Sequence, residues 1–491
     1  MKRSREGSIT IFSALCLMLV ASLLLALLES ARVYGLDARA GLLTELGVES
    51  VCGEYQIKLW QDYGLLCLDG AYSGEKFQAE RVAERFVEQV SKNCKGTKYG
   101  ANFFTLSASD AETSSWQLLT DGDGRVFFAL VSSYMKQNLP KEAAKAILER
   151  YESGQKLEEE KDSYSVEDAK GTLEDAKEEA EANAEGNGKA DTGSVPEKEN
   201  PLEIVLKLKQ NAILGMVVED VDALSEKEIN IEETVSRRTL MKGTMQETPE
   251  KDWYERILVL EYAGQHFSDY TKPMEGHKVD YEMEYLLCGK AEDKANLEGT
   301  VVRLLALRET ANIAHILGDS SKRKSASLMA EALAGFTGNP AIIQVVQAGV
   351  IAAWAYMESV QDVRALLAGD KIALVKSTNQ WTVDTENLLE SFQKTSRAKN
   401  CSNGWNYSEY LKFLLYTKSQ KVLAMRMMDV MEQNLRQMER YQNCRMDHMI
   451  TALEVQTEYR AVPLFSRLVA IGKLKTKNYY FKKSTKFSYI L

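Results

Sequence analysis

The chain has 491 residues, of which 45% are hydrophobic, and it carries a net charge of −10 with only 7 prolines. The hydrophobic share is sufficient for globular cores, and the few prolines argue against a loop-rich all-β protein. Residues 152–199 hold 16 Asp and Glu against 6 Lys and Arg, so this stretch accounts for the whole negative surplus. The rest of the chain is close to neutral, which argues against a broad nucleic-acid-binding surface and predicts no nucleic-acid partner.

An uncharged apolar run near the N-terminus begins at Ile9 and ends at Leu28. A helix of this length spans about 30 Å, the hydrocarbon thickness of a bilayer. The run is too long for a cleaved signal peptide, and residues 29–32 form a poor cleavage site. Basic side chains within residues 1–8 place that segment in the cytoplasm by the positive-inside rule. The sequence therefore predicts a single-pass protein of the cell membrane that contacts the lipid bilayer through residues 9–28, with its C-terminal bulk extracellular.

The predicted helix continues outside the bilayer to about residue 55, because small and apolar residues recur there at helical spacing. This stripe consists of Val33, Leu36, Ala40, Leu43 and Gly47. We expect it to pack either on the rest of the domain or on a partner helix, as in a coiled coil.

Residues 29–152 are predicted to form a membrane-proximal α/β region. Its expected elements are a buried strand at 63–70, a helix at 75–92, a short strand at 102–107 and helices at 124–139 and 140–151. Residues 120–125 resemble the start of a calcium loop but lack its distal acidic ligands, so we predict a turn there.

Residues 153–200 contain almost no large apolar side chains and many charges. Such a composition cannot offset the entropy lost on folding, so this segment is predicted to be an acidic disordered linker or insertion. Within it, residues 166–184 could form a solvated helix. The functional alternative for the segment is an acidic calcium-binding tract.

Residues 201–491 are predicted to be mainly helical, with a pair of short C-terminal strands or a basic tail after Tyr479. The expected helices are 202–224, 249–270, 280–317, 320–336, 340–367, 407–433 and 434–460. The fold class is therefore mainly α with minor β (α+β), with an N-terminal transmembrane helix that continues into a helical extracytoplasmic domain.

One further run of 17 uncharged residues begins at Ala341 and ends at Met357. It is long enough to raise the alternative of a second membrane span. Gln344 and Gln347 favour a buried core helix instead, because amide side chains are costly in lipid.

Several segments carry a resemblance to a known family: residues 7–12 and 28–32 around the apolar run, then 281–289, 352–359 and 362–369. With them the chain resembles an uncharacterised bacterial domain-of-unknown-function family, number 5702. Its members are single-span envelope proteins often encoded near tight-adherence (Tad) pilus or type II secretion-like genes. The resemblance runs along nearly the whole chain apart from the acidic segment. It implies an envelope location but no activity.

The N-terminus alone is similar to type IV pilins and Tad pseudopilins, in which basic residues and a glycine precede an apolar helix. That resemblance implies processing by a peptidase between Gly7 and Ser8. The sequence departs from the pattern at Phe12, where pilins carry a glutamate that helps subunits pack. A plain membrane anchor is therefore the expected alternative.

No motif predicts chemistry. The 4 histidines lack zincin spacing, and the 7 cysteines form no Cys-x-x-Cys pair. Nucleotide-binding P-loops and Gly-x-Ser-x-Gly elbows are also missing from the sequence. We therefore predict no catalytic, cofactor-binding or metal-binding residues and no cofactor.

Two functions remain open on this evidence. The first is a membrane-anchored structural or assembly protein whose partners are pilus or secretion-system components. The second is an extracytoplasmic enzyme or ligand-binding domain on the same anchor, which would require a pocket with convergent polar groups. The first residues to inspect for such a pocket are Glu282, Glu284, Arg303, Arg308 and Glu309, for which helix-face ion pairs are the alternative.

Overall fold

The computed structural model describes most of the chain. The described residues are 4–94, 103–155, 164–184, 200–210, 212–245, 252–383, 396–469 and 477–490. Residues 156–163 and 185–199, which belong to the segment predicted to be disordered, lie outside them.

The fold is mainly helical with a minor sheet, as predicted. The helices are α1 (Ser4–Cys52), α2 (Ile57–Tyr63), α3 (Ala79–Cys94), α4 (Asp121–Met135), α5 (Lys141–Gln155), α6 (Val166–Ala184), α7 (Pro201–Lys209), α8 (Ile213–Val217), α9 (Trp253–His266), α10 (Glu282–Cys288), α11 (Asp293–Gly318), α12 (Ser320–Ala334), α13 (Pro340–Leu367), α14 (Tyr407–Tyr416), α15 (Gln420–Arg436) and α16 (Ser466–Val469). The strands are β1 (Leu68–Asp69), β2 (Ser107–Leu118), β3 (Met449–Ala461) and β4 (Tyr479–Ser488).

The chain divides into two compact units. Unit 1 comprises Met1–Ser133, Thr239–Glu250 and Leu435–Leu491, and unit 2 comprises Tyr134–Arg238 and Lys251–Asn434. These units cross the ranges expected from sequence, because the C-terminal strands return to the sheet of the N-terminal region.

Unit 1 is organised around β3, which pairs antiparallel with β1, β2 and β4. Leu36, Ala40 and Leu43 of α1 are buried in one core with side chains of α3 and the sheet. Gly47 is needed for this packing, since a Cβ there would lie 2.4 Å from Val90 Cγ2. The apolar stripe predicted on α1 therefore packs on its own unit.

The helix predicted at 434–460 is wrong beyond Arg436, where α15 ends, and from Met449 onward β3 takes its place. From Leu453 to Ala461 every second residue is buried, including Val455 and Tyr459. That alternation is the signature of a strand with one face toward the core. The helix-forming residues that precede β3 favoured a continued helix in the prediction.

The predicted turn at residues 120–125 is present. Gly122, Asp123 and Gly124 all have positive φ, at 62°, 57° and 81°. Asp121 accepts hydrogen bonds from the backbone N–H groups of Leu118 (2.7 Å) and Gly243 (2.9 Å).

Unit 2 packs α6, α11 and α12 around α13. Residues 350–367 of α13 are buried throughout. This helix is therefore a buried core helix, the alternative that Gln344 and Gln347 favoured over a second membrane span. The helix expected at 166–184 is present as α6, but it is not solvated all round: one face buries Val166, Ala169 and Leu173, while the other is exposed. The two helices are so close that a Cβ on Gly349 would lie 2.1 Å from that of Ala169.

The long helix predicted at 280–317 is interrupted. Gly289 ends α10 in the left-handed conformation (φ 68°), which glycine adopts without steric strain. This break separates α10 from α11 and so separates the charged residues that the sequence had placed in one helical region.

Candidate functional site

The end of the apolar run on α1 is held by a buried ion pair. Glu29 and Arg32 are 5% and 6% exposed, and Arg32 Nη1 lies 3.0 Å from Glu29 Oε1. Glu29 Oε2 also accepts hydrogen bonds from the backbone N–H groups of Phe465 (2.6 Å) and Leu464 (3.2 Å). Arg32 Nε donates to the carbonyl of Phe103 at 2.5 Å. The part of α1 that follows the apolar run is thus fixed at its start to two loops of unit 1.

Three opposing influences act on the Glu29 carboxyl. Burial by itself would raise its pKa, but the N–H donors of Phe465 and Leu464 and the Arg32 guanidinium together lower it. The carboxylate is therefore the favoured form. A charge in this place is incompatible with the hydrocarbon of a bilayer and marks where the apolar segment ends.

A second apolar stripe lies on the opposite side of α1 from the buried one. Its members recur every three or four residues and are Leu27, Ala31, Tyr34, Ala38, Leu42 and Leu46. They are exposed in the part of the chain that the structure describes, Tyr34 at 77% and Leu42 at 61%. This stripe was not predicted, although the same helical spacing beginning at Leu27 indicates it.

Gly7 and Ser8 lie in α1, in the stretch whose side chains the structure does not describe. Processing between them stays a prediction.

The two glutamates singled out on α10 point to separate partners in unit 2. Glu282 lies 2.7 Å from His277 Nδ1 and accepts hydrogen bonds from Asn434 Nδ2 (2.7 Å) and the Ser268 N–H (2.8 Å). The carboxylate is fully buried and serves to join these three segments.

Glu284 is also buried, but its environment differs. It accepts hydrogen bonds from Tyr407 Oη (2.7 Å) and the Tyr270 N–H (3.0 Å). Burial and the nearby Asp269 carboxylate raise the pKa of Glu284 to about 8. One oxygen of Glu284 and one of Asp269 have no hydrogen-bond partner among the described residues. Glu284 is therefore largely protonated at neutral pH.

Arg308 belongs to a second buried cluster, formed by two cations and two carboxylates. Arg308 Nε lies 2.9 Å from Asp362 Oδ2, and Lys376 forms ion pairs with both Glu358 and Asp362. Burial would raise the pKa of Asp362, but Arg308 and Lys376 together lower it. Arg308 also donates to Tyr410 Oη at 2.9 Å. Burial raises the pKa of Glu358, and the adjacent Lys376 opposes that rise. Two carboxyl groups thus face two cations, an arrangement typical of a structural core network.

The five residues first inspected for a pocket do not converge. Arg303 is exposed and donates to the Gly299 carbonyl at 2.6 Å, and Glu309 is half-buried. A cavity of about 350 Å³ in unit 2 is lined by other side chains, among them Tyr270 and Arg364. The helix-face ion pairs expected as the alternative are also wrong for Arg308, whose carboxylate partner lies on another helix.

Sequence reasoning did not identify the partners of these groups. Glu358 and Asp362 were visible as two carboxylates within the otherwise apolar α13, and Lys376 lies in a loop without a pattern. Among the described residues, no group of three or more His, Cys, Asp or Glu side chains is arranged to hold a metal ion.

Comparison with known proteins gives one match. A family model described as "Family of unknown function (DUF5702)" matches residues 191–461, just over half of the chain. The matched range contains the segments 281–289 and 352–369, which contribute Glu282, Glu284, Glu358 and Asp362 to the buried networks. No curated protein and no solved structure matches the chain.

Proposed function

Because the chain belongs to DUF5702, a family of unknown function, we propose a function that is argued from the residues of this chain alone. The protein is a membrane-anchored structural or assembly protein, with α1 as the anchor and the bulk of the chain outside the cytoplasm. Its partners are components of a Tad-like pilus or secretion machine. α1 is long and apolar enough to span a membrane, which supports the anchor.

The exposed stripe on α1 is the observation that carries the proposal. A plain anchor needs only residues 9–28. The stripe continues to Leu46, which is about 27 Å beyond Leu28 at the rise of an α-helix. Exposed apolar surface of this extent and at helical spacing is typical of a docking face for another helix. Lipid covers the lower part, and a protein helix covers the upper part.

Glu282, Glu284 and Arg308 support a structural role. Each forms hydrogen bonds or ion pairs with other groups of unit 2. None of the three lines the 350 Å³ cavity, whose charged side chains are Glu219, Asp220, Arg364 and Arg397.

Site-specific photo-crosslinking in native cells tests the proposal. A benzophenone amino acid replaces Leu42, and a matched control replaces Ile57, which is also apolar and exposed in unit 1 but lies on α2. Cross-linked species are identified by mass spectrometry, together with the N-terminal peptide of the chain.

A pilus or secretion component joined to position 42 and not to position 57 is the expected result. A mature N-terminus at Ser8 would add pilin-type processing. Cross-linking at position 42 to lipid alone, or no more than at position 57, would contradict the assembly role.

A further inference from the structure

Two loops of unit 1 expose apolar side chains beside the base of α1. Phe103 and Phe104 lie on the loop before β2, and Val462 and Leu464 lie on the loop after β3. Their exposed fractions range from 38% for Val462 to 46% for Phe103. These four residues are called the apolar collar below. Phe103 also stacks on Phe465, with ring centroids 6.0 Å apart, so the two loops support each other.

The height of the collar along α1 is fixed by backbone hydrogen bonds. The N–H groups of Leu464 and Phe465 bind Glu29, the first residue after the apolar run. The Phe103 carbonyl binds Arg32, and the Phe104 carbonyl accepts from Arg39 Nη1 at 2.7 Å. The loops make these contacts through backbone atoms. The position of the collar therefore does not depend on which side chains it carries.

The Phe104 ring lies directly against α1 at Gly35, where a Cβ would be 2.3 Å from Phe104 Cε1. Gly35 is seven residues past Leu28, which corresponds to about 10 Å of helix. Through their contacts with Glu29, Arg32 and Gly35, the residues Leu464, Phe103 and Phe104 thus lie within about 10 Å beyond the end of the apolar run. That interval is the depth of the headgroup region, where amphipathic elements insert.

We propose that the apolar collar inserts into the headgroup region of the bilayer and seats unit 1 on the membrane surface. The inference rests on the proposed membrane anchor, because the collar lies against one side of the same helix at the level where it leaves the lipid. Continuity with the apolar surface of α1 selects lipid as the occupant. Aromatic side chains are enriched at this depth, and exposed Tyr34 on α1 and Tyr480 at the start of β4 fit the same belt.

Site-specific fluorescence in vesicles tests the collar. The full chain, with Cys16→Ala and Cys288→Ser, receives the environment-sensitive fluorophore NBD at Leu464→Cys or Phe103→Cys; the remaining cysteines are buried. The control is Ile57→Cys, an exposed apolar residue just beyond the far end of α1. Each protein is reconstituted in phosphatidylcholine vesicles that contain nitroxide-labelled lipid, with the nitroxide at the headgroup or deep in the acyl chain.

The expected result is a blue-shifted emission at positions 464 and 103, quenched by the headgroup nitroxide, with little quenching at position 57. Equal exposure of positions 464 and 57 to water, in protein that still floats with the vesicles, would overturn the collar and leave the anchor intact. Stronger quenching by the deep nitroxide would also contradict insertion at headgroup depth. Protein that fails to float with vesicles would remove both the anchor and the collar.

Discussion

α1 and α13 are both long and apolar enough to cross a membrane, yet protein covers the most apolar stretch of only one of them. The most apolar stretch of α1 is entirely exposed, whereas more than half of the corresponding stretch of α13 is buried in unit 2. α13 also carries Glu358 and Asp362, whose charges are neutralised by Lys376 and Arg308. Length and hydropathy therefore do not separate an anchor from a core helix; the partners of the polar residues do.

The largest effect is expected from breaking the charge balance on α13. Arg308→Met leaves one more carboxylate than cations in a buried site, which should lower the free energy of unfolding by about 3–5 kcal/mol. Arg303→Met on the same helix removes an exposed cation and should cost less than about 1 kcal/mol. Urea denaturation of the detergent-solubilised protein, followed by the fluorescence of its 6 tryptophans, measures both. Similar losses from the two variants would contradict a structural quartet.

A smaller effect on stability is expected from Glu284, the buried carboxyl of unit 2 whose pKa is raised. Glu284 has a folded-state pKa of about 8, above its unfolded value, so the folded state binds more protons at pH 6.5–8. Stability should therefore fall by about 2 kcal/mol as the pH rises through this window. Glu284→Gln should abolish that fall.

The same denaturation at a series of pH values checks this prediction, with Glu298→Gln as the control at an exposed position on α11. Asp429, whose pKa burial raises to about 6, adds a fall of the same sign mainly below this window. A pH profile unchanged by Glu284→Gln would show that this carboxyl is ionised in the folded state.

The contact between α6 and α13 provides the next test. In Gly349→Val, the new Cβ would lie 2.1 Å from the Cβ of Ala169. We therefore expect the free energy of unfolding to fall by about 1–3 kcal/mol. Gly171→Val on α6 is the matched control, since a Cβ there meets nothing within 4 Å. Hydrogen exchange that is faster along α6 in Gly349→Val but not in Gly171→Val would place the loss of stability at this contact. Equal exchange in both would indicate that α6 does not pack on α13.

The smallest effect on stability is expected on the exposed stripe of α1. Leu42→Ala should change the free energy of unfolding by less than about 0.5 kcal/mol, because the side chain is largely exposed. Its neighbour Leu43 is buried, and Leu43→Ala should cost about 2–4 kcal/mol. Thermal denaturation in detergent compares them. A marked loss from Leu42→Ala would mean that a partner already covers this face in the purified protein.

The sequence predicted those parts of the fold that depend on local patterns. The apolar run of α1, its buried stripe and the mainly helical class follow from composition and helical spacing. The strand β3 was missed even though its alternation is present, because the helix formers before it suggested a continuation.

The polar networks could not be predicted, because their members are far apart in the chain. Arg308 and Asp362 are 54 residues apart, and Tyr407 binds Glu284 across 123 residues. Patterns within one helix give no information on such pairs. Charged residues inside apolar helices, such as Glu358, indicate that a partner exists but not which one.

The ion pair and hydrogen bonds of Glu29 have a mechanical consequence. The loop that binds it follows directly after β3, the strand that pairs with β1, β2 and β4. Tension applied to the apolar run of α1 would therefore be transmitted at Glu29 and Arg32, through two backbone N–H groups and a guanidinium, to the strand that holds the sheet together. Such a load would be shared by the sheet of unit 1 and would not act on the later turns of α1 alone.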